Sequence, residues 1–107
     1  MKINQGDVYW VPMEGTDSWE SGPTHPHVIV QENVLNHSRI KTVVVCALTS
    51  NLKRAKSPGN VLLEAGEANL PRPSVVVVSK VSTVDKAQLV EYIGSLSEQR
   101  IHQNFFD

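Results

Sequence analysis

Four successive valines, Val75–Val78, open the stretch Ser74–Val84, and they narrow the possible fold more than any other feature of the chain. Each is branched at Cβ, which restricts χ1 in a helix but packs well on a pleated sheet. Ser74–Val84 is therefore expected to be a long strand. A second run, Ile40–Leu48, is nearly continuously apolar and predicts a strand buried on both faces. Gly6–Val11, β-branched and aromatic, gives a first strand that Pro12 stops. His27–Gln31, Asn60–Glu64 and Tyr92–Leu96 supply shorter strands. Glu32–Ser38, Ala65–Leu70 and Asp85–Leu89 are connectors with room for one helical turn each, and Pro71 and Pro73 break the second. Ser97, followed by Glu98-Gln99-Arg100, has the pattern of a helix N-cap with an acid in the first turn. No connection is long enough for repeated crossover helices, which excludes a parallel α/β layout. What remains is mainly β (α+β): a barrel-like sheet of about five to seven short strands with a short C-terminal helix.

At 107 residues, the chain is expected to form one domain, 1–107. Such a domain buries roughly two-thirds of its unfolded surface, so a shared dimer surface would add useful burial. Ten Lys and Arg stand against eleven Asp and Glu, so total charge does not mark a nucleic-acid binder. Phosphate contacts are local, however. Lys53, Arg54 and Lys56 form the densest basic cluster, in the polar loop Thr49–Pro58. The single cysteine, Cys46, lies in the apolar strand and is expected to be a buried, inert thiol. The N-terminal residues carry no hydrophobic signal region, and no apolar run approaches the roughly 18 residues of a membrane span. A reduced, cytoplasmic location without membrane partners is the expectation.

The chemistry concentrates where the turn-rich segment 12–26 meets the second strand. Pro26 disfavours the α region for His25 and holds it extended. If the strand already runs through Pro26, His25 and His27 share a face, roughly 7 Å apart. Two imidazoles at a strand mouth suit acid–base chemistry, though loop-end polar residues with no role fit the same spacing. Trp19, in the long polar loop, either stacks on a base or covers the barrel edge. Thr49 is either a site hydroxyl or a strand-end hydroxyl serving the local backbone. A His-x-His zinc site lacks a third ligand, so no metal or other cofactor is expected. Asp7 and Asp85 look structural, and His37 solvent-facing.

In order and spacing these segments resemble the MazF/PemK/Kid family of toxin endoribonucleases. Gly6-Asp-Val-Tyr-Trp-Val11 is similar to the family's first strand, and Glu20 stands where its Gly-Ser-Glu-Gln loop carries Glu. Pro26-His-Val-Ile-Val-Gln-Glu-Asn33 resembles its second strand. Leu48-Thr-Ser-Asn-Leu-Lys-Arg-Ala55 and Pro58-Gly-Asn-Val61 resemble its central loop and next strand. Ser74–Lys86 resembles its last long strand, and Ile93–Ser97 the approach to its final helix. The resemblance implies an SH3-like barrel and a homodimer. It also implies metal-independent cleavage of single-stranded RNA, mRNA included, at short sequences, leaving 2′,3′-cyclic phosphate and 5′-hydroxyl ends. A cognate antitoxin would occupy the active groove.

Three positions depart from the family pattern. The catalytic Arg before the strand-opening Pro is His25 here, the C-terminal helix is short, and Ser79 stands where some relatives have Asp. Arginine grips phosphate with a permanent charge, whereas histidine moves protons near neutrality. The resemblance therefore implies a shifted site. His25 would exchange a proton with the 2′-hydroxyl or the leaving 5′-oxygen, with His27 as its partner or as a phosphate donor. Thr49 would hydrogen-bond the phosphate. Trp19, Glu20, Ser50, Lys53, Arg54, Lys56 and Ser79 would contact RNA, with Lys53 or Arg54 meeting the phosphate charge if their loop folds over the groove. Two other readings stand beside this one: a non-catalytic module that binds RNA or protein, and a gyrase poison like the CcdB toxins, which share the fold.

Overall fold

The computed structural model describes residues 2–12 and 24–104. Six strands form one antiparallel sheet: β1 (Asp7–Pro12), β2 (Thr24–Ile29), β3 (Thr42–Thr49), β4 (Val61–Leu63), β5 (Ser74–Asp85) and β6 (Glu91–Ser95). Their spatial order is β4-β5-β3-β2-β1-β6. A single-turn helix α1 (Asn33–Asn36) joins β2 to β3, and α2 (Glu98–Asn104) follows β6. Short 3₁₀ turns occupy Leu52–Lys56, Glu67–Asn69 and Lys86–Gln88. The mainly β fold with a short final helix is thus the observed one, in the form of a curled half-barrel.

Alternation of side chains across the strands gives the sheet two buried faces. Val8, Val28, Cys46, Leu48 and Val76 pack on one face, together with Leu63, Leu70 and Leu96. Tyr9, Val11, Ile29, Val43 and Val45 pack on the other, with Ile3 and Leu89. The run Val43–Leu48 serves both faces, which is why it reads as unbroken apolar sequence. Each such side chain contributes about 1.5–3 kcal/mol by leaving water.

The outermost strands, β4 and β6, are bridged by the turn Glu67–Asn69. Asn69 Nδ2 donates to the Ile93 carbonyl at 3.1 Å. Arg100 of α2 donates from Nε to Glu67 Oε1 at 2.9 Å and from Nη2 to the Leu62 carbonyl at 2.7 Å. Gly94 permits the close approach of β6, since a Cβ there would overlap the Ala68 carbonyl. Ser97 caps α2 as expected, its Oγ accepting the Arg100 N–H at 3.1 Å.

Strand β2 begins at Thr24, three residues ahead of the expected start. Pro26 is tolerated inside it because a proline in extended conformation keeps its φ and loses only one N–H donor. Tyr9 pairs with His27, Trp10 with Pro26 and Val11 with His25. The strand therefore carries both histidines, on one face. Asp7 and Asp85 are structural: Asp7 accepts the Asn4 N–H at 2.9 Å and the Ser95 hydroxyl at 2.7 Å, and Asp85 accepts the Ala87 N–H at 2.9 Å. His37 is exposed, with Nε2 2.9 Å from Asn4 Oδ1.

Candidate active site

Strands β2 and β3 bring the two candidate groups together at one end of the sheet. His27 pairs with Ala47, and the same register continued two residues aligns His25 with Thr49. On the flanks, His25 pairs with Val11 and Thr49 with Val75. One cross-sheet row thus runs Val11, His25, Thr49, Val75.

A cavity of about 320 Å³ opens at this end, and three successive residues of each element border it: Thr24, His25 and Pro26 from β2, with Leu48, Thr49 and Ser50 from the end of β3. Successive strand residues point to opposite faces, so the cavity wraps around the strand ends. Trp10, Leu70, Pro71, Arg72, Ser74 and Ile93 complete its wall.

Both imidazoles are buried, His25 at 6% exposure and His27 at 4%. His27 Nδ1 lies 2.9 Å from the His25 carbonyl oxygen. Burial lowers the His27 pKa below the usual value; the hydrogen bond to the His25 carbonyl opposes this, and the neighbouring His25 ring adds to it. His25 Nε2 is the one buried side-chain polar atom among the described residues without a hydrogen-bond partner. Leaving such a group unpaired costs about 1–3 kcal/mol. Thr49 is buried, and its Oγ1 accepts the Asn51 N–H at 3.1 Å.

The remaining candidate residues divide. Ser50 borders the cavity, whereas Lys53, Arg54, Lys56 and Ser79 do not. The 3₁₀ turn Leu52–Lys56 is held toward β5: Asn60 Nδ2 donates to the Arg54 carbonyl at 2.8 Å while Asn60 Oδ1 accepts the Val78 N–H at 3.0 Å. The basic loop therefore does not line this cavity, so the condition set for Lys53 or Arg54 to meet phosphate there, a loop folded over the groove, is not met at this cavity. Trp19 and Glu20 lie outside the described residues. Among the described residues no cluster of three or more His, Cys, Asp or Glu is placed to hold a metal ion. No helix among them is long and apolar enough to cross a membrane.

Two cavity residues were not singled out from sequence. Arg72 sits between Pro71 and Pro73, which had drawn notice only as helix breakers, and Trp10 had been read as an ordinary strand aromatic. An arginine held between two prolines directly before a buried strand is a usable signal, because the prolines fix the main chain around it.

The chain and its fold are similar to known proteins. Residues 4–103 match the family model described as PemK-like, MazF-like toxin of type II toxin-antitoxin system. The chain is 32% identical over 103 residues to Endoribonuclease MazF6 of Mycobacterium tuberculosis, covering 96% of this chain and 90% of that protein. It is 33% identical over 99 residues to Endoribonuclease MazF of Staphylococcus epidermidis, covering 92% and 82%. Among solved structures, the M. tuberculosis toxin MazF-mt6 superposes with a TM-score of 0.70 at 19% identity, over 92% of this chain and 95% of that one. A mycobacterial endoribonuclease in complex with its cognate antitoxin superposes at 0.68 with 20% identity, over 95% and 84%. At those identities the structures speak for the fold, and the curated relatives and the family model for the lineage. With the family model matched over residues 4–103 and relatives above 30% identity covering nearly the full length, the chain belongs to the family of PemK-like, MazF-like toxins of type II toxin–antitoxin systems.

Proposed function

We propose that this chain is an endoribonuclease toxin that cuts single-stranded RNA, with His25 moving a proton and Thr49 binding the phosphate. The observation that carries the reading is the buried, unpartnered Nε2 of His25, a residue in register with Thr49, both residues bordering the cavity. The relatives named as endoribonucleases, matched over nearly all of this chain, support the activity. In the reaction the 2′-oxygen adds to phosphorus, the P–O5′ bond breaks, and the products are a 2′,3′-cyclic phosphate and a 5′-hydroxyl. One proton leaves the 2′-hydroxyl and one reaches the 5′-oxygen. His25 handles one of these transfers and water the other, so atoms balance with no added oxidant or metal.

For His27 we favour a role other than the proton-transfer partner or phosphate donor that the resemblance implies. Its Nδ1 is engaged by the His25 carbonyl, and it does not border the cavity. It is a positioning residue that holds the main chain of His25. His25 Nε2 is itself covered, so productive binding uncovers it. The toxin acts as a homodimer in the cytoplasm on mRNA and is held inactive by a cognate antitoxin, a pairing supported by the antitoxin complex of its structural neighbour.

The covered Nε2 also favours a second reading, in which the chain binds RNA or protein without cutting. Cleavage of a long mixed-sequence RNA in EDTA, with fragment ends mapped, separates the two. Cyclic-phosphate ends that vanish in His25→Ala support the ribonuclease; intact RNA with folded wild type favours the binding module.

A further inference from the structure

The cavity beside the His25–Thr49 row has a composition the catalytic assignment does not use. Trp10, Leu70 and Ile93 give it an apolar side, while Ser50, Ser74 and Arg72 give it a polar one. Among the described residues that line it, Arg72 is the only permanent cation and none carries a carboxylate. That described lining is positive in a chain whose net charge is −1.

Arg72 is built to present that charge outward. It is exposed, and its guanidinium makes no hydrogen bond or ion pair with the described residues. Pro71 and Pro73 restrict the main chain on either side of it. The Ser74 hydroxyl donates to the Arg72 carbonyl at 3.3 Å, tying the segment to the start of β5. A planar guanidinium carried on a main chain restrained this way suits bidentate contact with phosphate oxygens. The other sources of charge are elsewhere: Lys53, Arg54 and Lys56 do not line the cavity, and burial favours the neutral form of His27.

Trp10 complements it. Trp10 is 37% exposed although its main chain is paired on both sides, with Pro26 and with Glu91. A fixed, half-open aromatic at the edge of a polar cavity is a stacking platform for a base.

We propose that Trp10 and Arg72 form a nucleotide subsite flanking the scissile bond, in which Arg72 grips a backbone phosphate of single-stranded RNA and Trp10 stacks on the adjoining base. The proposal rests on the ribonuclease reading. Arg72 thus supplies phosphate charge that His25 does not hold permanently.

The test uses the full chain as wild type, Arg72→Ala, Arg72→Lys, Trp10→Ala and Trp10→Phe. Cleavage rates of a fluorescent single-stranded RNA are measured across a salt series, together with affinity for a short 2′-O-methyl RNA that cannot be cut. Arg72→Ala is expected to raise KM about 10- to 100-fold and to reduce the salt slope of binding by about 0.7, the contribution of one phosphate contact on a single strand. Arg72→Lys restores the slope but only part of the affinity, because lysine is a point charge. Trp10→Ala weakens binding about 10- to 100-fold while Trp10→Phe retains most of it. Wild-type cleavage with KM and salt slope unchanged in Arg72→Ala overturns the subsite alone. Loss of antitoxin binding in Arg72→Ala with RNA affinity intact also overturns it, assigning the cavity to an acidic peptide. A folded wild type that neither cuts nor binds RNA overturns the ribonuclease reading, and the subsite with it.

Discussion

His27 Nδ1 lies 2.9 Å from the carbonyl oxygen of His25. A carbonyl oxygen only accepts, so Nδ1 donates and the neutral ring is fixed as one tautomer, with its lone pair on Nε2. Burial lowers the pKa of the ring, so it stays neutral near pH 7. The same bond ties the side chain of one histidine to the main chain of the other. It gives His27 a mechanical part at the site and leaves proton transfer to His25.

The burial of His27 has a consequence for stability. In the unfolded chain His27 titrates near ~6.5. Its folded pKa is lower, so on acidification the unfolded state binds its proton first. Stability is therefore lost as pH falls below about 6.5, and above that His27 adds no slope. Thermal melts of wild type and His27→Asn between about pH 7.5 and 5 are expected to show a steeper acid decline in wild type. Identical slopes would contradict the buried, neutral assignment.

Gly94 is a close-approach position. A Cβ there overlaps the Ala68 carbonyl, a main-chain group that cannot rotate away. Ala68 and Asn69 already occupy the left-handed region, at φ 50° and 59°. Gly94→Ala is expected to cost about 1–3 kcal/mol, read as a lower urea midpoint. An unchanged midpoint would show that the bridge between β4 and β6 yields freely.

Arg100 holds α2 against that same bridge through Glu67 and the Leu62 carbonyl. Burial acts to raise the Glu67 pKa, but hydrogen bonds from Arg100 and the Glu64 amide, with the Arg100 charge, lower it overall. The pair is partly exposed, so Arg100→Ala is expected to cost roughly 1 kcal/mol. A carboxyl titration followed by NMR should show the Glu67 pKa rising in the variant. No movement would detach Arg100 from Glu67 in solution.

Cys46 is 2% exposed, and its Sγ donates to the Val77 carbonyl at 3.0 Å. Burial pushes the thiol pKa up to about 11. The thiolate is the reacting form, so a thiol reagent at pH 8 should label the protein only in denaturant. Rapid labelling of the folded chain would contradict this burial.

Much of the fold could be read from the chain because its strands are β-branched and its breaks are prolines. Val75–Val78 and Val43–Leu48 became the paired central strands β5 and β3, and Ser97 became a helix cap. The sequence leaves the start of β2 open between His27 and a strand that already runs through Pro26; the latter is the observed one, because an extended proline costs this strand only one donor. The His25–Thr49 alignment depends on strand register, which no local pattern states. No local pattern brings Arg72 and Trp10 together either: one follows a turn and the other precedes Pro12, and only the curled sheet sets them around one cavity. The basic loop lies off this cavity; charge density alone does not say which way a turn packs.

The central claim is tested most directly by one measurement: cleavage of a long mixed-sequence RNA in EDTA by wild type and His25→Ala, from about pH 5 to 9, with fragment ends mapped. The account predicts cyclic-phosphate and 5′-hydroxyl ends from wild type, a rate that bends in the histidine range, and a loss of about 10²–10⁴-fold in the variant. Equal cleavage by a folded His25→Ala protein would contradict it.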